Sequence, residues 1–133
     1  MRRTLALLGL LSVIAVATVV HSSEHHVKAD LVPIDNSGVT GFVQLTQLPH
    51  GGANLHVVAE GLTPGTAYAS FYYESDDCSA PADEFEEFTA KSNGRAELNG
   101  KIDEDLDEVG SVSVRLGPGY GNLVACASIP HQN

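Results

Sequence analysis

The sequence predicts an all-β domain, an antiparallel Greek-key sandwich or flattened barrel, on three observations. Apolar residues recur at every second position in short stretches. Clusters of Gly, Pro, Asn, Asp and Ser separate those stretches about every ten residues. No stretch sustains the 3.6-residue period, with caps, that a helix needs. At 133 residues, 43% hydrophobic and 18% charged, the chain has the size and make-up of one globular domain.

The first expected strand is Val27 to Ile34, ended by the turn Asp35-Asn36-Ser37-Gly38. The second runs from Val39 to Leu48, with Phe42, Val43, Leu45 and Leu48 apolar, and Pro49-His50-Gly51-Gly52 turns it back. Leu55, Val57 and Ala59 alternate with Asn54, His56, Val58 and Glu60 in the third. After Gly61-Leu62-Thr63-Pro64-Gly65, the aromatic-rich run Tyr68 to Tyr73 suits a strand. Asp83 to Phe88 reads as a single helical turn at most. Ser92-Asn93-Gly94 has the chemistry of a hairpin turn, joining Phe88–Lys91 to Arg95–Ile102. Val112, Val114 and Leu116 alternate with Ser113 and Arg115. Gly117-Pro118-Gly119-Tyr120-Gly121 turns the chain into a closing strand from Leu123 to Ile129.

Met1, Arg2 and Arg3 followed by the apolar run Leu5 to Val20 have the form of a secretory signal. Cleavage after Ala17 and cleavage after Ser22 both fit; the second avoids leaving Thr18, Val19 and Val20 as an apolar start. The expected organisation is therefore a signal peptide at 1–22, a polar histidine-containing leader at 23–28 and a β domain at 29–130. The alternative, an uncleaved anchor, would use a run slightly short of the ~20 residues a span needs. Both readings export the domain, to a periplasm or beyond the cell. In an oxidising compartment the isolated pair Cys78 and Cys126 reads as a structural disulfide, since nothing resembles Cys-x-x-Cys.

Seventeen acidic residues against 7 basic ones give a net charge of −10, and loss of residues 1–22 removes Arg2 and Arg3 but no carboxylate. Such a surface repels a phosphate backbone and matches anionic membranes poorly, so neither nucleic acid nor a membrane is an expected partner of the mature form. Two cysteines are too few for a zinc ribbon or an iron–sulfur cluster.

Val39-Thr40-Gly41-Phe42-Val43-Gln44-Leu45, the strand to Glu60 and Gly61-Leu62-Thr63-Pro64-Gly65 together resemble the opening of the copper/zinc superoxide dismutase family. Thr89-Ala90-Lys91-Ser92-Asn93-Gly94-Arg95-Ala96 resembles a hairpin of that family, and Leu123-Val124-Ala125-Cys126-Ala127 its C-terminal cysteine motif. The resemblance spans roughly residues 29–129. It implies the family's β fold and makes Cys78–Cys126 the family disulfide. It also implies a lost metal site. Phe71 and Tyr73 stand where two copper-binding histidines belong, Arg115 is the occupant at a later copper histidine, and Leu123 falls at the arginine that steers superoxide. Cys78 to Phe88 is far too short for the zinc loop and holds no histidine. The expected molecule is thus a degenerate member with no cofactor and no catalytic residue.

Four further features carry candidate chemistry. His25 and His26 lie beside each other. With cleavage after Ser22, the free amine of Ser23, two backbone amides and the His25 imidazole would offer Cu(II) or Ni(II) a square-planar nitrogen set, and His26 would assist with Cu(I). The other histidines, His21, His50, His56 and His131, show no ligand spacing. Of two acidic runs, Asp76–Glu87 and Asp103–Glu108, the second superficially resembles a calcium-loop start, with Asp at 103, 105 and 107. However, Glu108 replaces the required glycine and Val114 the closing glutamate, so both read as solvated loops. No Gly-x-Ser-x-Gly or phosphate loop is present. Finally, Tyr68 and Tyr72 share one strand face, a candidate aromatic contact surface, with Phe71 and Tyr73 on the other.

The functional expectation is an exported, non-enzymatic domain that binds another protein or a surface, or has a structural role. The alternatives are a copper-handling protein using His25 and His26, and an atypical copper-dependent dismutase. Oligomeric state is left open.

Overall fold

The computed structural model describes residues 25–130. The expected signal peptide, the Ser23 amine, His21 and His131 lie outside them. The elements are β1 (His26–Pro33), β2 (Thr40–Gln47), β3 (Ala53–Glu60), β4 (Ala67–Tyr73), β5 (Ala82–Thr89), β6 (Ala96–Ile102), a short 3-10 turn (Leu106–Glu108), β7 (Ser111–Leu116) and β8 (Leu123–Ser128). β1 begins at His26, so the second half of the expected 23–28 leader is strand.

All pairings are antiparallel, in the order β5-β4-β7-β8-β1-β2-β3-β6. One layer is β1-β2-β3-β6 and the other β5-β4-β7-β8. β1 serves both, pairing β2 through His26–Leu31 and β8 through Val32 and Pro33. At the open seam, the Phe85 ring of β5 lies against Gly100 of β6, where an added Cβ would sit 3.3 Å from the ring. The sheet is nearly closed by this packing. Alternation sends Val43, Leu45, Leu55 and Val57 inward from the first layer to meet Val112, Val114, Ala125 and Ala127 from the second, all essentially fully buried.

Two local expectations are corrected. Asp83–Phe88 belongs to strand β5 and is no helical turn. Its two phenylalanines are three residues apart, and a shift of the β4–β5 register between Ser70 and Phe71 accommodates that spacing. Ser70 opposes Glu86 while Phe71 opposes Glu84, which leaves Phe85 as the extra residue. Phe85 and Phe88 then both pack against the core. Ser92-Asn93-Gly94 makes the expected turn, with Lys91 N–H donating to Arg95 O across it, but the strands it joins, β5 and β6, do not pair with each other. The turn closes through Gly94 N–H donating to Lys91 O, and Gly94 holds the left-handed φ of 72°. Beyond it β5 continues against β4 and β6 against β3. Neighbouring backbone groups are taken by the Gly61–Thr66 turn: Leu62 N–H donates to Gly94 O and Ala90 N–H to Thr66 O, so the chain crosses between layers.

Candidate functional site

The outer face of the second layer carries a connected cluster of buried polar groups around Ser111, Ser113, Tyr73 and Arg115. Register aligns Phe71 of β4 with Ser113 of β7 and Cys126 of β8, and Cys126 with Val32 of β1. Tyr73 opposes Ser111, and Ala69 opposes Arg115, which opposes Leu123 after a register shift between Val114 and Arg115. Ala69, Phe71, Tyr73 and Cys78 form a small second core with Ala82, Leu123 and Cys126 packed on it.

The disulfide Cys78–Cys126 ties the segment after β4 down onto this face. Cys78 N–H donates to Ser111 Oγ (2.9 Å), and Ser111 Oγ–H donates to Ser75 O (2.6 Å). Tyr73 Oη and Ser113 Oγ share a 2.7 Å hydrogen bond, both side chains being buried. Arg115 links strand to loops: Nε donates to Tyr73 Oη (2.8 Å), Nη1 to Gly121 O (3.0 Å) and Nη2 to Cys78 O (2.9 Å). Its guanidinium stacks 3.8 Å from the centroid of the Tyr120 ring, which meets Phe71 edge-on at 5.0 Å. Gly121 has to be glycine, since a Cβ there would collide with the Leu116 carbonyl. Burial, then the neighbouring Tyr73, raise the Tyr120 phenol above its ordinary value, with Arg115 acting in the opposite sense.

A second region is acidic. Glu104 is pushed up to about 7, first by its hydrogen bond with Glu108, then by desolvation and the charges of Glu108, Glu74 and Asp83. Tyr72 lies beside it, its phenol raised by burial and then by Asp83, Glu104 and Asp103. Asp105, Asp107 and Glu108 bring carboxylate oxygens within 4.8 Å of one another. Asp105 is already engaged, accepting from Gln47 Nε2 (3.1 Å) and Gly52 N–H (2.8 Å), and these bonds lower its pKa. The group offers three ligand atoms where a hard cation takes six to eight.

The described histidines join no cluster of metal-ligating side chains. His26 is exposed at the start of β1 opposite Thr46, with His25 just before it. His50 is exposed in its turn, and His56 on β3 meets Glu97 at 2.9 Å and the edge of Phe42. Among the described residues, the one clustered set of metal-ligating side chains contains no histidine.

Tyr68 and Tyr72 are not an exposed pair. Tyr68 is 4% exposed, stacks on Phe88 and accepts from Thr63 N–H (2.9 Å). Tyr72, partly buried, packs on the main core. Their strand face is the one that looks inward, while Phe71 and Tyr73 sit beneath the disulfide-tied segment. The aromatic residue presented to solvent is Tyr120, 48% exposed. Sequence reasoning had placed it only in a turn, although an aromatic set among glycines in Gly117–Gly121 was a visible signal. No protein-family model matches the chain, and no curated protein is similar enough to stand as its relative.

Proposed function

We propose that the chain is an exported, non-catalytic domain of the copper/zinc superoxide dismutase type whose role is to bind a partner. The crossovers that set β6 beside β3 and β7 beside β4 support a Greek-key arrangement of that kind. Export fits the disulfide, and no helix among the described residues is long and apolar enough to cross a membrane.

One observation carries the reading. Phe71, Tyr73, Arg115 and Leu123, the positions where the resemblance puts copper chemistry, meet on one face and fill it with each other. This set does not fit copper. Phe71 has no donor atom, the Tyr73 hydroxyl is already bonded to Ser113 and Arg115, and the guanidinium would repel a cation beside it. A face stabilised this way suits recognition, because arginine and tyrosine are the residue types that dominate binding hot spots.

The test is metal titration of the oxidised mature chain with Cu²⁺ and Zn²⁺, alongside an assay of superoxide dismutation. The expected result is no dismutation and no copper held more tightly than about micromolar. Tight copper lost in His25→Ala would assign copper handling to the N-terminus. Tight copper that survives that change, with dismutation, would overturn the reading.

A further inference from the structure

We propose that Arg115 and Tyr120 form a recognition site for a carboxylate, which names the ligand chemistry of the binding role above and rests on that reading. A guanidinium has five N–H donors, and three of those on Arg115 are taken by neutral oxygens of Tyr73, Cys78 and Gly121. The remaining two, one on each terminal nitrogen, have no protein acceptor among the described residues. No carboxylate of the described residues lies within ion-pair distance of Arg115. Arg95, by contrast, reaches both Glu60 and Glu97. An unneutralised, partly buried arginine is notable in a chain of net charge −10.

Three features adapt the position to a ligand. The strand irregularities at Ser70/Phe71 and Val114/Arg115 both fall at this cluster, and such bulges re-aim side chains. The three hydrogen bonds and the Tyr120 ring hold the guanidinium plane fixed, so little freedom remains to be lost on binding. Tyr120 and, on the same face, Val32 at 58% exposure add apolar surface for the body of a ligand whose anionic end meets the arginine. A carboxylate can accept from both free N–H groups. The acidity of the rest of the surface disfavours anions of higher charge, since their long-range repulsion grows with charge while the site holds a single cation.

The experiment follows the Arg115 Nε and the Gly121 amide by nitrogen-edited NMR in a buffer free of carboxylates and phosphate. The probes are acetate, a short peptide with a free C-terminal carboxylate, and the same peptide amidated. Saturable shifts with acetate and the free peptide, absent with the amidated one, are expected. Arg115→Lys keeps the charge but loses the fork and should weaken binding by about tenfold. Tyr120→Ala, at an exposed site, should weaken it several-fold while the fold persists. Peptide binding tighter than acetate identifies a polypeptide terminus as the source, and equal binding identifies a small carboxylate. A flat titration, or shifts unchanged in both variants, overturns the proposal. That failure is separable from copper binding, which would end the functional reading and leave the carboxylate result standing.

Discussion

The two sides of the second layer are stabilised by different physics. Its inner side, with Val112, Val114, Ala125 and Ala127 against Leu45 and Leu55, is an apolar core in which shape and volume decide fit. Its outer side buries Ser111, Ser113 and Tyr73 beside a guanidinium, and every one of those polar groups is paired. An apolar core tolerates exchange of one aliphatic group for another of like volume. A polar cluster does not, because removing one partner strands the other. The outer face is therefore the part of the molecule where single atoms matter, and it is also the part that holds a loop in place.

The comparison can be broken most directly at the disulfide. Replacing both Cys78 and Cys126 by Ser opens a loop of 48 residues, and on the chain-entropy model this costs about 4 kcal/mol. Denaturant unfolding should register that loss. A small loss would mean that hydrogen bonds alone hold the 74–81 segment. On the inner side, Leu55→Ala removes a fully buried side chain and should cost roughly 3 kcal/mol by leaving a cavity. Tyr73→Phe comes next, at about 2 kcal/mol. It deletes one oxygen, yet leaves Arg115 Nε without its acceptor and Ser113 without its partner. If Tyr73→Phe is neutral by thermal unfolding, the contrast between the two sides fails.

The inner side was legible from local pattern, whereas the outer side was legible only in part, for reasons that differ residue by residue. Period-two alternation placed Leu55, Val57, Ala59, Val112 and Val114 on the core face, although Leu116, beyond the register shift at Val114/Arg115, is exposed and Val58 on the opposite face is also buried. The disulfide was legible because only two cysteines exist to pair. β5 was hidden because the extra residue Phe85 spaces its phenylalanines by three, the signature of a helical turn, and four carboxylates surround them. The faces of β4 were separated correctly, but alternation cannot tell a face covered by a second layer from one covered by a tied-down loop. Both were aromatic, so the choice of Tyr68 and Tyr72 as a surface had no local evidence against it. The resemblance set Arg115 at one site with Phe71, Tyr73 and Leu123, but its hydrogen bonds were beyond reach for a plainer reason: its acceptors lie 42, 37 and 6 positions away, and nothing in the sequence links them.

The smallest effect, and the one with the clearest sign, comes from the acidic region that borders the inner aromatic Tyr72. Glu104 has its pKa raised from 4.5 to about 7 in the folded protein, so between those values the folded state keeps a proton that the unfolded chain releases. Stability therefore falls as pH rises through that window. Asp105 and Glu97 act in the opposite direction: their lowered values give stability that is present at neutral pH and lost in acid, below the ordinary carboxylate range. The two effects occupy separate windows, which makes them separable by one melting-temperature profile against pH. Glu104→Gln should flatten the profile between about 4.5 and 7, melt above the parent at the alkaline end, and leave the acid limb untouched. Because the group is only half-buried, added salt should shrink the difference. Identical profiles for parent and variant would mean that Glu104 holds no extra proton in the folded state, and that the acidic region, unlike the outer face around Arg115, is an ordinary solvated surface.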